Sequence, residues 1–548
     1  MEIQTMNKLE KEALKKSGTD FTRLGFALFF MIGVLTFSFL SNGGISNNMF
    51  LAVAALIGAY MAMNIGANDV ANNVGPAVGS KAMTLTTAII IAAIFEAAGA
   101  IIAGGEVVKT IKKGIIDISA FGGNADPFIW AMMAALLAAA LWLNFATMVR
   151  APVSTTHSIV GGVMGAGIAA AGFSIVSWST MGKIAASWVI SPVLGGVIAA
   201  AFLFSIKKSI VFKDDKVKAA KRYVPIFVAI MSWAFVTYIT LKGLKKIWPQ
   251  VVELLNMIPF VAIEMTNKPS LSTALTLGFV IAVMVYFFVK AKVSSNTTKL
   301  ENTKASVNTL FTIPLIFAAA LLSFAHGAND VANAIGPLAA INDAVVNGGV
   351  SSKAAIPLWV MGVGALGIAL GLALYGPTLI KTVGSEITEL DQIRAFSIAM
   401  AASITVIIAS QLGLPVSSTH IAIGGVFGVG FLREWLHLND MGRTLEDDKQ
   451  SIIDERENLH AFSAELKTLE AKNSKSQADY ERVVELYKQI AYEEKQIKSA
   501  KKSIKHAKKV EFVKRDAIKK IVTAWVVTVP ATATLAAILF YMIKGIMI

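Results

Sequence analysis

The sequence predicts an all-α polytopic membrane protein made of two inverted-topology repeats with broken helices and re-entrant hairpins, together with a cytoplasmic helical-hairpin insert. Of its 548 residues, 55% are hydrophobic and 16% are charged, whereas about 25% of the residues in soluble domains are charged. The charges are concentrated in a few segments. The remaining stretches of about 20 apolar residues are long enough to cross a bilayer as helices. Two different motifs also occur twice each, in the same order.

Candidate spanning or re-entrant segments alternate along the chain with polar loops. They lie at residues 21–40, 50–63, 85–103, 128–148, 158–171, 184–204, 224–241, 271–289, 309–324, 356–374, 395–411, 421–431 and 521–543. Helices are expected because every backbone amide inside lipid must be paired within its own segment. The alternating strands of a membrane barrel are absent from the sequence. Several segments are short and glycine-rich, which is typical of helices that form transporter binding sites.

The two motifs define the repeat. Gly66-Ala-Asn-Asp-Val-Ala-Asn72 recurs as Gly327-Ala-Asn-Asp-Val-Ala-Asn333, and Pro152-Val-Ser-Thr-Thr-His157 recurs as Pro415-Val-Ser-Ser-Thr-His420. A third pair, at Trp188 and Trp525, is separated by a longer interval in the second copy because a charged insert precedes Trp525. The spacing therefore predicts two structurally related halves, the second interrupted by an insert.

The distribution of lysine and arginine predicts that the two halves have opposite orientations. Basic residues are enriched in cytoplasmic loops, and clusters lie before residue 21, at 207–222 and at 290–304. If these three clusters lie in the cytoplasm, the second repeat starts from the opposite side of the membrane to the first. Basic residues around Lys109 and Lys242 fit this orientation badly, because both would lie outside.

This topology predicts six consecutive parts. They are an N-terminal tail with the first transmembrane helix at 1–48, transport repeat 1 at 49–205, cytoplasmic loops with two linking helices at 206–308, the first part of repeat 2 at 309–432, a charged coiled-coil-like insert at 433–519, and the last helix of repeat 2 at 520–548. In the insert, heptad-like spacing predicts an antiparallel helical hairpin with a seam that includes Leu459, Leu466 and Tyr487. Two interpretations are open: a solvated spacer, which the composition favours, or a regulatory or oligomerisation arm.

The acidic-amide motifs are candidate cation sites. A carboxylate at the centre of a membrane helix costs roughly 2.5–3.5 kcal/mol and usually faces a cavity or a partner. Side chains three and four residues apart share one helix face, and carboxylate and amide oxygens suit a hard cation such as Na⁺. The flanking glycine and proline residues are expected to let the helix unwind. The candidate cation-binding residues are Asn68, Asp69, Asn72, Asn329, Asp330 and Asn333. The alternative is that each aspartate only caps a broken helix.

The hydroxyl-rich motifs are candidate anion sites. Serine and threonine are good helix N-caps, and a helix N-terminus offers free N–H groups and a positive dipole end that bind phosphate. The candidate substrate-binding residues are Ser154, Thr155, Thr156, Ser417, Ser418 and Thr419. The alternative is that these hydroxyls only cap helices. His157, His420 and Glu96 are accessory candidates: the histidines fix the hairpins, sense protons or touch substrate, and Glu96 is an ion or proton site or reaches the interface.

In these motifs the sequence resembles the inorganic phosphate transporter (PiT) family, also called sodium-dependent phosphate transporters. The resemblance covers nearly all of residues 50–432 and 520–545. It implies import of inorganic phosphate coupled to Na⁺ or H⁺ by alternating access, a multi-pass location in the cell (inner or plasma) membrane, and a homodimer. It places cations at the acidic-amide residues and phosphate at the hydroxyl residues. Sulfate permeases resemble this family too, so a cation-coupled permease for another oxyanion is the alternative.

Other classes of function are disfavoured. The chain has no cysteine, which excludes disulfides and thiolate metal sites, and no organic cofactor is expected. The net charge of +14 is explained by basic membrane-flanking loops, so nucleic acid is not an expected partner. No nucleophile–base–orienter set predicts an enzyme. An anion channel would need a continuous pore lined by charges or carbonyl groups, and paired acidic-amide clusters favour a carrier.

Overall fold

The computed structural model describes most of the chain. The described residues are 2–43, 48–121, 125–149, 153–259, 261–297, 300–347, 356–386, 390–440, 442–472, 476–508 and 515–547. Pro152 of the first hydroxyl-rich motif lies outside them. Within these ranges the fold is helical, with an isolated bridge between Ile116 and Val176 in place of any sheet.

The helices follow the apolar segments predicted from the sequence. The first eleven are α1 (Glu2–Ser41), α2 (Asn48–Asn68), α3 (Val70–Gly79), α4 (Leu85–Ala103), α5 (Gly105–Lys113), α6 (Ala125–Met148), α7 (Thr155–Ala171), α8 (Trp178–Ile206), α9 (Lys216–Tyr238), α10 (Trp248–Asn256) and α11 (Leu271–Asn296). The others are α12 (Lys304–Thr309), α13 (Thr312–Asn347), α14 (Leu358–Glu386), α15 (Gln392–Gln411), α16 (Ser418–Asp440), α17 (Gly442–Glu470), α18 (Gln477–Lys508) and α19 (Arg515–Met547). Short 3₁₀ or π turns occur at Ile118–Phe121, Phe173–Ile175, Lys207–Val211, Ile239–Gly243 and Lys245–Ile247.

The chain is a polytopic membrane protein, as predicted. Among the described residues, 11 helical segments are long and apolar enough to cross a bilayer. Many of their large apolar side chains are exposed, including Phe29 at 79% and Val189 at 69%, which fits contact with lipid rather than water. The chain separates into two units, one of residues 1–429 with 515–548 and one of residues 430–514.

In the first unit, helices from the two halves of the sequence pack against each other. Helix α2 packs on α14, α13 on α4, and α7 on α19. Glycine makes these contacts close: a Cβ atom on Gly66 would lie 1.9 Å from the carbonyl oxygen of Ile368, and one on Gly327 would lie 2.2 Å from that of Glu96. Small residues at helix interfaces let membrane helices approach to backbone contact.

The expected unwinding of both acidic-amide motifs is wrong for the second copy. Helix α13 is continuous from Thr312 to Asn347 and includes the whole motif. In the first copy the interruption is confined to Asp69, between α2 and α3, where the backbone is near helical with φ −87° and ψ −33°. The glycines of these motifs instead serve close packing, because their missing side chains make room for α14 and α4.

The second unit contains the paired helices α17 and α18. The predicted seam is present on α17, where Leu466 is buried. On α18 one seam residue differs from the prediction, since Leu486 is fully buried while Tyr487 is 54% exposed and donates a hydrogen bond to Glu470. Heptad spacing allowed either residue, and the aliphatic side chain is the one that packs inside.

Candidate ion and substrate site

The two acidic residues of the repeated motif lie in the interior of the helix bundle. Asp69 is 1% exposed and Asp330 is fully buried. Asp69 stands at the junction of α2 and α3, and Asp330 lies near the middle of α13. A buried carboxylate is stabilised only if hydrogen-bond donors or positive charge surround it, so its neighbours define the site.

Helices α7 and α16 deliver the hydroxyl groups. Ser154 caps α7 by accepting a hydrogen bond from the His157 amide at 3.2 Å, and Ser417 accepts one from the His420 amide at 3.3 Å. These two serines therefore act as helix caps, one of the alternatives left open by the sequence. Capping fixes the first turn of each helix, and the next hydroxyls point to other partners.

Those next hydroxyls surround both carboxylates. Thr155 donates to Asp69 at 2.6 Å and lies 3.4 Å from the nearer oxygen of Asp330. Ser418 lies 3.3 Å from Asp330, and Thr419 lies 3.3 Å from Asp69. Each aspartate is thus in hydrogen-bond range of hydroxyls from both helices. The four motifs meet in one buried cluster, which the duplicated sequence predicted.

Two asparagines complete the cluster with equivalent contacts. The Asn72 amide donates to Thr419 at 2.9 Å, and the Asn333 amide donates to Thr156 at 3.1 Å. Each contact joins the acidic-amide motif of one half to the hydroxyl motif of the other. Each half of the chain therefore depends on the other half to complete the cluster.

The amide nitrogens of the other two asparagines donate to groups outside the cluster, while the Asn329 oxygen accepts a hydrogen bond from the Val416 amide of the second hydroxyl-rich motif at 3.4 Å. Asn68 donates to Thr147 on α6 at 3.0 Å, and Asn329 donates to Ser410 on α15 at 3.0 Å. The sequence grouped both with the neighbouring aspartates. In the structure, their amide nitrogens join α2 to α6 and α13 to α15.

His326 is a site residue that the sequence analysis missed. Its Nδ1 lies 2.7 Å from a Glu96 oxygen and its Nε2 lies 3.2 Å from Asp330. Asn73 donates to the other Glu96 oxygen at 2.7 Å. Asp330 follows His326 by one helical turn in the sequence, and that i, i+4 spacing was the available signal.

The series of polar contacts from Asn73 through Glu96 and His326 to Asp330 occurs at only one of two matching helix contacts among the described residues. Gly327 and Gly66 are the equivalent glycines of the two motif copies. Gly327 packs against Glu96, whereas Gly66 packs against Ile368. The residue before Gly327 is His326, and the residue before Gly66 is Ile65. Both isoleucines are fully buried. One interface therefore carries an acid–imidazole pair and its counterpart carries two aliphatic side chains.

The histidines of the hydroxyl motifs pack together rather than against the carboxylates. The rings of His157 and His420 have centroids 4.5 Å apart. His157 lies against Trp188 at 3.8 Å, and His420 lies against Trp525 at 3.6 Å. Trp188 also donates to the Pro415 carbonyl at 3.2 Å. These contacts join the starts of α7 and α16 to each other and to α8 and α19.

The arrangement has the chemistry of a cation site. One ligand atom each from Asp69, His326 and Asp330 lie within 4.8 Å of one another. Carboxylate oxygens are preferred ligands of hard cations, and a bound cation would offset the repulsion between two buried carboxylates. The surrounding hydroxyls add neutral oxygen ligands and hydrogen-bond donors.

Comparisons with known proteins find phosphate transporters. The model of the PHO4 phosphate transporter family matches residues 65–536. A predicted phosphate permease of Helicobacter pylori strain J99 is 50% identical over 545 residues, covering 98% of each protein. One from Haemophilus influenzae is 38% identical over 388 residues, covering 71% of this chain and 89% of that protein.

A solved structure supports the same assignment. It is a sodium-dependent phosphate transporter that is 30% identical, with a TM-score of 0.68, covering 91% of this chain and 99% of that chain. The H. pylori match spans nearly the whole chain, so it includes the charged insert. The family is one of transporters and not of enzymes. This chain belongs to the phosphate transporter family.

Proposed function

We propose that this protein imports inorganic phosphate by secondary active transport coupled to Na⁺. The observation that carries the proposal is Thr155, whose hydroxyl lies within 3.4 Å of both Asp69 and Asp330. Two carboxylates and a hydroxyl-bearing helix start belong to one buried cluster, so cation and anion sites would be neighbours. The names of the relatives and of the solved structure support phosphate and sodium.

The cation and the anion would bind to different residues of the cluster. Na⁺ would bind first at Asp69 and Asp330, assisted by Asn72 and Asn333, and would offset the two carboxylates. Phosphate would then bind at the starts of α7 and α16, where N–H groups and the hydroxyls of Thr156 and Thr419 are nearby. Asn68 and Asn329, with their contacts to α6 and α15, would hold the motif helices in place. Anion binding would therefore depend on prior cation binding.

The proposal includes the inverted-repeat architecture. The repeats are 49–205 and 309–432 with 520–548, the pairs α6–α7 and α15–α16 are re-entrant hairpins, and the insert at 433–519 is cytoplasmic. The matching contacts Asn72–Thr419 and Asn333–Thr156 support a two-fold relation between the halves. Access would alternate by rocking of one part of the protein against the other. A homodimer is the proposed assembly.

Charge sets the number of cations. Moving a phosphate dianion into a cell that is negative by 100 mV costs about 4.6 kcal/mol, whereas each monovalent cation contributes about 2.3 kcal/mol. Two cations therefore balance one dianion, and a third gives a net electrical driving force. The paired acidic residues Asp69 and Asp330 provide two of the sites in this proposal.

The deciding experiment is labelled phosphate uptake into proteoliposomes with Na⁺ and H⁺ gradients imposed separately. We expect an inward Na⁺ gradient to drive accumulation, and excess sulfate not to compete. Uptake driven only by protons would replace Na⁺ with H⁺ as the coupling ion. Strong inhibition and labelled uptake of sulfate would support the oxyanion alternative, and uptake that ignored both gradients would contradict coupled transport altogether.

A further inference from the structure

Helices α9 and α11 form a pair with an apolar groove between them. Both are among the candidate spans, and the principal packing partner of α11 is α9. The groove has a volume of about 270 Å³. It is lined by Ile226, Ala229, Ile230, Trp233, Phe279, Ala282, Val283 and Tyr286. Nothing in the proposed transport mechanism uses this surface.

Two aromatic side chains lie at one end of the groove. Trp233 and Phe279 meet at 6.1 Å between ring centroids, and the Trp233 indole nitrogen donates to the Leu275 carbonyl at 3.0 Å. From Trp233 to Ile226 the groove follows seven residues of helix, or about 10 Å at 1.5 Å per residue. That length is about a third of the roughly 30 Å hydrocarbon layer, so one acyl chain segment fits along it.

Positive charge lies beyond the other end of the groove. Arg222 lies one turn before Ile226 on α9, and Lys290 lies one turn after Tyr286 on α11. The Lys290 ammonium is 5.6 Å from the centroid of the Tyr286 ring, so it stands at the end of the groove wall. The Arg222 guanidinium lies 5.4 Å from the Tyr223 ring. Both cationic side chains are exposed.

The helices themselves carry no compensating acid. Neither α9 nor α11 contains aspartate or glutamate. Asp215, just before α9, accepts a hydrogen bond from the Lys218 amide at 2.8 Å and caps the helix. Lysine and arginine near a helix end reach toward the lipid headgroups. The groove is therefore followed by two exposed cationic side chains, and the two helices that form it supply no acid to pair with them.

We propose that this groove binds an anionic phospholipid, with one acyl chain between α9 and α11 and the phosphate on Arg222 and Lys290. Charge complementarity distinguishes this occupant from others. A second copy of the chain would bring the same cations to the same place, and a zwitterionic lipid would gain less from them. Because α11 packs mainly on α9, a bound lipid would fill space that protein side chains leave open.

Quenching of Trp233 fluorescence tests the proposal. The full protein is reconstituted in phosphatidylcholine vesicles containing a minor fraction of either brominated phosphatidylglycerol or brominated phosphatidylcholine. The chain has 9 tryptophans, so the signal of Trp233 is the difference between wild type and Trp233→Phe. We expect stronger quenching by the anionic lipid. Each cation should contribute about fivefold in affinity, from ~1 kcal/mol per basic residue.

Matched variants separate a specific site from general surface charge. Arg222→Gln with Lys290→Gln should remove the preference for phosphatidylglycerol. Lys221→Gln with Lys292→Gln changes the same number of charges on the same helices at positions rotated away from the groove, and should keep the preference. If Trp233→Phe folds poorly, Phe279→Trp places a second reporter on the opposite wall.

The proposal is overturned by equal quenching from the two lipids in the wild type, or by equal losses in both double variants. An absence of Trp233 quenching by either lipid would mean that protein, such as a second copy, covers the groove, and would also overturn it.

Discussion

At the scale of single residues, the site depends on two buried carboxylates that share a hydroxyl. Thr155 contacts both Asp69 and Asp330, and the Asn amides and remaining hydroxyls add donors around them. Such a cluster favours a positive charge between the carboxylates, because burial makes their repulsion strong. The residues that surround this charge are therefore the first targets for substitution.

We predict that Asp69→Asn and Asp330→Asn each lower Na⁺-driven phosphate uptake by about 100-fold or more. Removing one charge of a buried ionic cluster typically costs 3–5 kcal/mol, and 1.4 kcal/mol corresponds to a factor of ten. Initial uptake rates in proteoliposomes measure the effect. Asp20→Asn, whose side chain is 61% exposed, is the control and should transport normally. Wild-type uptake by both site variants would exclude a role of the carboxylates.

Glu96 reaches Asp330 only through His326. We therefore predict that Glu96→Gln raises the Na⁺ concentration for half-maximal uptake by about tenfold and changes the phosphate KM much less. The physical reason is that the weaker hydrogen bond no longer holds the imidazole against Asp330, and charged hydrogen bonds are worth about 1.5–3 kcal/mol.

The matched control for Glu96→Gln is Ile368→Leu, at the corresponding position of the apolar interface. It should leave both half-saturation values unchanged. An equal rise of both values in Glu96→Gln would indicate a general loss of folded protein and would contradict a positioning role.

At the scale of helices, glycine contacts hold the two halves together. We predict that Gly327→Ala lowers the melting temperature of the purified protein by several degrees, because its Cβ would lie 2.2 Å from the Glu96 carbonyl oxygen. Overpacking of this kind typically costs 1–3 kcal/mol. Gly362→Ala on α14 is the control, since no heavy atom outside the adjacent backbone of its own helix lies within 4 Å of the Cβ position. Equal melting temperatures for the two variants would refute the packing argument.

Helix α5 is held by ion pairs at both ends. Lys112 contacts Asp343 on α13 at 2.8 Å with both side chains buried, and Glu106 contacts Lys245 at 2.9 Å. Partial burial raises the pKa of Glu106, but the hydrogen bond from Lys245 and the charges of Lys242 and Lys109 outweigh it and bring the pKa to about 2. Of the basic residues that fitted the predicted topology badly, Lys112 is therefore paired with an acid in the interior, and Lys245 is paired with one while remaining partly exposed.

We predict that Lys112→Met alone and Asp343→Leu alone each destabilise the protein by about 3–5 kcal/mol, because each leaves a buried charge without a partner. The double variant should be much closer to wild type. Thermal unfolding of all four proteins measures the coupling. Additive losses in the double variant would mean that the pair is not energetically linked.

At the scale of the whole molecule, the net charge moved in each transport cycle determines how uptake responds to the membrane potential. If three cations accompany one dianion, each cycle moves one net positive charge inward. We predict that an inside-negative membrane potential accelerates Na⁺-driven phosphate uptake, as measured with a potassium diffusion potential set by valinomycin. With two cations per dianion the rate would not respond to the potential in this way, which would correct the stoichiometry.

Sequence alone determined the class of the protein and its principal motifs. Apolar segments separated by charged loops specify membrane helices because lipid cannot form hydrogen bonds with an exposed backbone. Duplication of the motifs made two pairs of residues recognisable as site candidates, Asp69 with Asp330 and Thr155 with Ser418. The family follows from the same motifs. On α17, Leu466 was placed correctly because a heptad pattern is a local property of the chain.

Tertiary structure decided which of these residues meet. Glu96 and His326 are far apart in the chain and pair only because Gly327 lets α13 touch α4. Asn68 donates to Thr147 rather than to Asp69 because α6 packs beside it. The position of α6 cannot be read from the sequence around Asn68. Periodicity fixes the face on which a side chain lies, while its partner depends on which helix packs against that face.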